Sequence, residues 1–497
     1  MAQRTTFKCD VVVVGSGLSG LICARDLART GLSVHVVEAR PEFGGRCWRE
    51  EIVPGVWVDN GGQWLGRTQD AFRQVLNEYG IKTFPVLTEG KSVLIWRGQR
   101  YEWDGSPFFG MSNNCAPPPN LPVEYVNDCL QAYEKLQKII DSFPKGSHHP
   151  GESPMADDLD VETAETWIRR EMSTDFGKWY FRYLVRSLGP SGPAEPGEMS
   201  MLSFAWGQFT GSQLEDPEAE LIDGAAGQLP KIIVEKDIGV DCVHVDMPVE
   251  AIVHNDSGVE VYTLKNEAVF QAKYAVLAMP PLHAGRIEFS PHLTGPRTQF
   301  GHHYPMGTCC KVFLAVSPPF WRDGSTTRLN GNGMGDLEWV EQAADASNPN
   351  TLSACKSGTK GAGVGILVGF VVGYRYRRWS MKSPEEREKL VVGDFAKFYG
   401  DQVKDKYIAY HEVDWPKQAF VEGGYGGYGA PGAWSMYKEM ATNDRSVRDG
   451  QIIYAGTEIS CRWPGFFDGA IRSGANAASI ITSELQGSRP SKSRKTA

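Results

Sequence analysis

The sequence predicts a mixed α/β protein, α/β at its ends with α+β character in its middle, in which segments near both termini build one parallel-stranded unit. Three observations predict it. An apolar strand runs straight into a glycine-rich turn near the N-terminus, and a second strand–turn–helix pattern lies near the C-terminus. Between them stand alternating strands and charged amphipathic helices.

Asp10-Val11-Val12-Val13-Val14 leads directly into Gly15-Ser16-Gly17-Leu18-Ser19-Gly20, and Glu38 follows eighteen positions after the last glycine. A run of valines without alternation suits a parallel strand covered on both faces. Gly15 permits the tight turn, Gly17 lets backbone approach a pyrophosphate, and Gly20 lets helix and strand pack closely. Amides at the helix start would then face the phosphates, with Glu38 on a ribose. The helix from Leu18 carries apolar or small residues at Leu21, Ile22, Ala24 and Leu27–Ala28, and Gly31 ends it. Strand Ser33–Glu38 completes a Rossmann-like, dinucleotide-binding unit.

Downstream, Ala39–Arg46 and Gly61–Gly66 are too rich in glycine for core packing, and strand Trp57–Asp59 joins them. Val123–Pro144 and Asp160–Leu188 have helical periodicity with many charges, as helices covering a pocket would. Cys115–Pro122 reads as a loop, and Val243–Val253 with Val259–Leu264 as a hairpin. Tyr274–Met279, Lys311–Val316 and Val364–Gly373 read as buried strands, while Asp345–Gly363 is Ser/Gly/Lys-rich and reads as a mobile surface loop. Near the end, strand Ile452–Ala455, turn Gly456-Thr457-Glu458 and a helix over Gly465–Leu485 repeat the opening pattern. The nucleotide unit is therefore discontinuous, and the middle supplies a substrate unit.

Composition sets further bounds. At 497 residues the chain exceeds one ordinary core. Hydrophobic content of 41% and charged content of 22% are those of a globular soluble protein. A net charge of −9 argues against a nucleic-acid partner. No apolar run reaches the roughly twenty residues a membrane helix needs. No secretory signal is visible, and ten scattered cysteines without a CxxC pair fit reduced thiols, so a cytoplasmic location is expected. No His/Cys/Asp cluster has metal-ligand spacing. The polar, basic tail 488–497 reads as disordered.

The glycine fingerprint alone leaves NAD, NADP and FAD open. Glu38 disfavours NADP, and the extension Glu38-Ala39-Arg40 to Gly44-Gly45-Arg46 moves the choice to FAD. That extension, Gly61–Gly66, Lys311 with Pro319-Phe320-Trp321, and Gly456–Gly469 resemble the flavin-containing monoamine oxidase family in order and spacing over almost the whole chain. The resemblance implies an FAD-binding domain from residues 1–85, 215–292 and 420–487, and a substrate domain from 86–214 and 293–419 with a mixed sheet and covering helices. It implies oxidation of an amine to an imine, with O2 reduced to hydrogen peroxide and the imine hydrolysed to aldehyde or ketone. Small-molecule amine and O2 are the implied partners, with a homodimer as the assembly common in relatives and no membrane anchor.

By the same resemblance, FAD would contact Gly15, Gly17, Leu18, Ser19, Gly20, Glu38, Ala39, Arg40, Gly45, Arg46, Gly62, Gln63, Trp64, Val249, Gly456, Thr457, Glu458 and Ala470. Lys311 matches the lysine that holds a water against the flavin. Its neighbours Cys309, Cys310, Val312, Phe313 and Leu314 are apolar, so burial would lower its pKa; the alternative is an edge-strand lysine facing solvent. Tyr425 and Phe466 match two aromatic rings between which the amine passes; read without the motifs, both could be core residues. Phe466 stands where members usually carry tyrosine. Gly424 stands where animal members carry the cysteine bonded to flavin, so non-covalent FAD is expected.

Three rivals share the scaffold. An L-amino-acid oxidase needs a cation for the substrate carboxylate. Here Gly61-Gly62 is followed by neutral Gln63-Trp64-Leu65-Gly66, with Arg67 beyond, so a hydrophobic primary or secondary amine is expected. A polyamine oxidase would line a tunnel with acids. A flavin dehydrogenase or desaturase passing electrons to a quinone or protein would lack the Lys311, Tyr425 and Phe466 constellation.

Overall fold

Segments far apart in sequence share the central parallel sheet, whose strands run in the order Val243–His244, Val34–Val37, Val11–Val14, Tyr274–Ala278, Ile452–Ala455 and Arg448–Asp449. The first five are parallel and the last is antiparallel. The computed structural model describes residues 4–105, 116–187, 192–212, 217–264, 267–322, 329–353, 363–435 and 448–487. Val11–Val14 is buried along its whole length, as an unalternating valine strand between two covered faces must be. Helix Leu18–Arg29 lies against the long C-terminal helix Phe467–Gly487, so the two ends of the chain close on one another.

A second, seven-stranded mixed sheet runs Tyr407–Asp414, Cys309–Val316, Gly365–Val372, Gln342–Asp345, Leu329–Gly335, Lys91–Trp96 and Gln99–Asp104. Cys309–Val316 and Gly365–Val372 are buried at every position. Helices Val123–Asp141, Ala164–Glu171, Asp175–Ser187 and Met201–Gly207 meet in an aromatic core that includes Phe176, Trp179, Tyr180 and Tyr183. None of the eight cysteines among the described residues is in a disulfide.

The helical periodicity of Asp160–Leu188 corresponds to separate helices: Thr163 caps one by accepting the Thr166 N–H, and the Asp128 carboxylate accepts from Ser173 and Thr174 N–H at 3.0 and 2.8 Å before Asp175. Three expectations need correction. Val243–His244 does not belong to the hairpin; it pairs in parallel with Val36–Val37, and the hairpin is Val249–Asn255 with Gly258–Thr263. The last helix begins at Phe467 rather than Gly465, because Gly465 sits at φ +83° in the preceding turn. Finally, the expected loop Asp345–Gly363 starts on the last residue of strand Gln342–Asp345 and holds a short helix, Pro349–Ser353, and its residues 354–362 lie outside the described residues. Cys115 and the tail 488–497 lie outside them too. No helix among the described residues is long and apolar enough to cross a membrane.

Candidate active site

The glycine turn is shaped by contacts that only glycine tolerates. A Cβ on Gly20 would sit 2.0 Å from the Gly15 carbonyl oxygen, whereas one on Gly17 would meet nothing within 4 Å. Gly20 therefore seats the helix, and Gly17 opens on a cavity at the amide end of Leu18–Arg29. Gly17, Leu18 and Ser19 line that cavity, as do Arg46, Gly62, Gln63 and Trp64 from the second and third glycine stretches. Gly456, Thr457, Glu458 and Ala470 line it from the C-terminal strand–turn–helix. Lys311, Tyr425 and Phe466 line the same cavity.

Gly15, Gly20, Glu38, Ala39, Arg40, Gly45 and Val249 stand outside its lining. Glu38 braces the turn: its carboxylate accepts from the Ser16 N–H and hydroxyl at 2.8 and 2.5 Å and from the Arg40 N–H at 2.9 Å. Val249 opens its strand against a core that includes Val14 and Val37.

Arg46 explains why motifs separated by hundreds of residues assemble here. Its guanidinium pairs with Glu458 at 2.6 Å and donates to the Tyr425 carbonyl at 2.8 Å. One side chain thus joins the Gly44-Gly45-Arg46 turn, the Gly456-Thr457-Glu458 turn and the segment carrying Tyr425. The Gly424–Tyr425 peptide is cis. The Tyr425 ring meets Phe370 edge-on at 5.4 Å, and Phe466 meets Trp463 edge-on at 5.1 Å.

Lys311 is 2% exposed on a central strand, in register between Phe370 and Val413, so it is not an edge lysine. Its Nζ donates to the carbonyl oxygens of Asp59 and Gly61 at 2.7 and 2.8 Å. The rings of Phe313, Trp64 and Phe370 surround it at 5.1, 5.4 and 5.8 Å. Burial pushes its pKa down, against the attraction of Asp59. Asp59, equally buried, is pushed up by desolvation against Lys311 and the Ala226 and Gly227 N–H groups, each 2.9 Å from its carboxylate. Both shifts favour the uncharged forms.

A flavin dinucleotide fits these residues. The buried Ser19 Oγ, Gln63 Nε2 and Glu458 Oε2 have no hydrogen-bond partner among the described residues, and all three side chains line the cavity. Such a ligand carries phosphate and carbonyl groups that could engage the two donors. Asp59 and the cavity-lining Glu218, Gln342, Phe370 and Phe467 were not singled out in the sequence. Asp59 offered no signal: alternation along strand Val56–Asp59 would place it on the exposed face of Trp57, yet it is buried. Arg67 is exposed and outside the lining, and Cys461 is half-buried and also outside it.

Comparison with known proteins places the chain in a flavin-dependent family. A family described as flavin containing amine oxidoreductase matches residues 18–482. An L-amino acid dehydrogenase of Synechocystis is 42% identical, covering 95% of this chain and 94% of that protein. A probable flavin-containing monoamine oxidase A of Dictyostelium discoideum is 28% identical, covering 97% and 99%. Among solved structures, the cyclohexylamine oxidase of Brevibacterium oxydans superposes with a TM-score of 0.81 at 28% identity, covering 96% of this chain and 99% of that one.

Proposed function

The chain belongs to the flavin-containing amine oxidoreductase family, and we propose that it oxidises the CH–NH bond of an amine with an apolar chain to the imine, O2 taking the electrons as hydrogen peroxide. Bound FAD supplies the two-electron acceptor for that bond. One observation carries the reading: a buried lysine, fixed on two backbone carbonyls, shares a cavity with Tyr425, Phe466 and the Gly17–Ser19 turn. Residues 1–85, 215–292 and 420–487 would hold FAD, and 86–214 and 293–419 the amine. Gly424 offers no thiol beside Tyr425, so attachment would be non-covalent.

The residues divide the work. Tyr425 and Phe466 present apolar rings to the amine and exclude water, which favours the neutral nitrogen that can give up electron density. Trp64 and Phe370 extend that wall. Lys311 Nζ, kept toward its neutral form by burial, can take a proton, and Asp59 tunes how firmly. The amide end of helix Phe467–Gly487 brings partial positive charge to the cavity at Phe467 and Ala470.

The 42% identity to an L-amino acid dehydrogenase supports a second reading, an amino-acid substrate and an acceptor other than O2. Against it, Arg46 is held by Glu458 and the Tyr425 carbonyl, and no other arginine lines the cavity among the described residues. A panel of alkyl amines, arylalkyl amines and L-amino acids decides between them, each assayed for peroxide in air and for dye or quinone reduction under argon. Amine-dependent peroxide supports the first reading. Turnover confined to amino acids, with dye reduced and no peroxide, establishes the second.

A further inference from the structure

Two carbonyls fix Lys311, and both belong to peptides whose other ends are pinned. In a planar trans peptide the N–H and C=O point opposite ways. The Asn60 N–H donates to the Trp48 carbonyl at 2.9 Å, which turns the Asp59 carbonyl toward Lys311. The Gly62 N–H donates to the Arg46 carbonyl at 3.3 Å, which turns the Gly61 carbonyl the same way. The peptide between them is held by Trp415, whose indole N–H donates to the Asn60 carbonyl at 2.9 Å. Asn60 is thus the centre of the cradle, and it is fully buried. A buried carboxamide has to satisfy both its oxygen and its nitrogen. Asn60 Nδ2 donates to the Glu50 carboxylate at 3.1 Å, and Oδ1 lies 2.9 Å from His411 Nε2. An amide oxygen only accepts, so His411 carries a proton on Nε2, and the bond survives in either charge state of the ring. His411 stands opposite Phe313 on the neighbouring strand, on the face that carries Lys311, and its ring stacks on Phe313 at 5.8 Å.

We infer that His411 is a positioning residue for Lys311: by donating to Asn60 it holds the Asp59–Gly61 turn so that two carbonyls meet the lysine Nζ. This deepens the amine-oxidising reading above and rests on it. His411 does not line the cavity, so it acts through Asn60 and not on a bound ligand. Without its N–H, Asn60 Oδ1 would be left buried and unpaired, and the side chain would turn toward another donor. That turn pulls on the backbone between Asp59 and Gly61, and Lys311 Nζ moves with its acceptors. A group that takes a proton works only within hydrogen-bond reach of it, so a small displacement is enough to matter. Glu50 is the weaker hold: its side chain is 46% exposed and water can replace it, whereas that of His411 is 18% exposed.

The test isolates the donor. His411→Phe keeps a ring against Phe313 and removes the N–H, whereas His411→Gln restores an N–H donor of similar reach. Each FAD-loaded protein is bleached under argon with just enough dithionite and mixed with oxygenated buffer, so the return of yellow absorbance gives the reoxidation rate without any amine. Thermal unfolding and flavin content check that each variant is folded. His411→Phe is expected to slow reoxidation about tenfold, and His411→Gln to bring it back to within about twofold of wild type. In a Lys311→Met background, His411→Phe should slow it no further, because both changes act on one group. A folded His411→Phe protein at the wild-type rate would overturn the inference. Equal slowing by His411→Phe and His411→Gln would do the same, as would an equal loss with and without Lys311. Should His411→Phe fail to fold, combining it with Asn60→Leu replaces both partners by apolar groups, a change near neutral for folding; a wild-type rate in that protein overturns the inference. Wild-type flavin that recovers its colour no faster than that of Lys311→Met overturns the underlying reading, and this inference with it.

Discussion

Replacing Lys311 by methionine separates chemistry from packing better than any other change at this site. Methionine keeps the length of the side chain among Trp64, Phe313 and Phe370 but removes the two N–H donors that reach Asp59 and Gly61 at 2.7 and 2.8 Å. Each orphaned carbonyl costs about 1–3 kcal/mol. Burying the ammonium itself costs several kcal/mol, which methionine recovers. The two effects oppose, so the variant should fold and retain flavin. Removing the group that takes the proton should slow the step it serves by about 10²- to 10⁴-fold, the usual contribution of a positioned general base. The assay reduces the enzyme under argon, mixes it with oxygenated buffer and follows the return of yellow absorbance. Reoxidation at the wild-type rate in a flavin-loaded Lys311→Met protein would remove Lys311 from the proposed mechanism.

Three further outcomes follow from particular contacts. Wild-type turnover should rise with pH through a limb below the ordinary lysine range, because burial lowers the Lys311 pKa. Asp59→Asn deletes the attraction that raises it, so the limb should move to lower pH; a limb at the wild-type position would show that Asp59 does not act on Lys311. Tyr425→Ala should lower kcat/KM for amines at least tenfold while flavin content holds, since it removes a wall of the cavity and the edge-on contact to Phe370; steady-state kinetics with absorbance at saturation check both. Gly17→Ala should leave thermal unfolding of the apoprotein unchanged, because its Cβ meets no protein atom within 4 Å, yet weaken FAD binding at least tenfold by fluorescence titration. Unchanged FAD affinity would place the phosphates elsewhere.

Much of this arrangement was legible because it depends on local backbone chemistry. The valine strand and Gly15–Gly20 turn are read from residues within ten positions of one another, and steric contacts such as Gly20 on the Gly15 carbonyl explain why. The C-terminal strand Ile452–Ala455 was legible for the same reason. Long-range partners were not. Asp59 meets Lys311 across 252 residues, and no spacing rule announces a carboxylate that a distant strand will bury. Glu218 precedes a three-residue strand that pairs with Trp64–Leu65 and Thr83–Pro85, so its place in the cavity depends on tertiary pairing. The helices of Asp160–Leu188 were legible, but not where one ends and the next begins, because the periodicity continues through residues at which side chains cap backbone N–H groups and break the ladder.

Anaerobic addition of an amine to the purified yellow protein tests the central claim most directly. The account predicts bleaching under argon, then recovery of colour with stoichiometric hydrogen peroxide on admitting air. Protein that holds no flavin and cannot be reconstituted with FAD, or flavin that stays oxidised with every amine and amino acid offered, would contradict it.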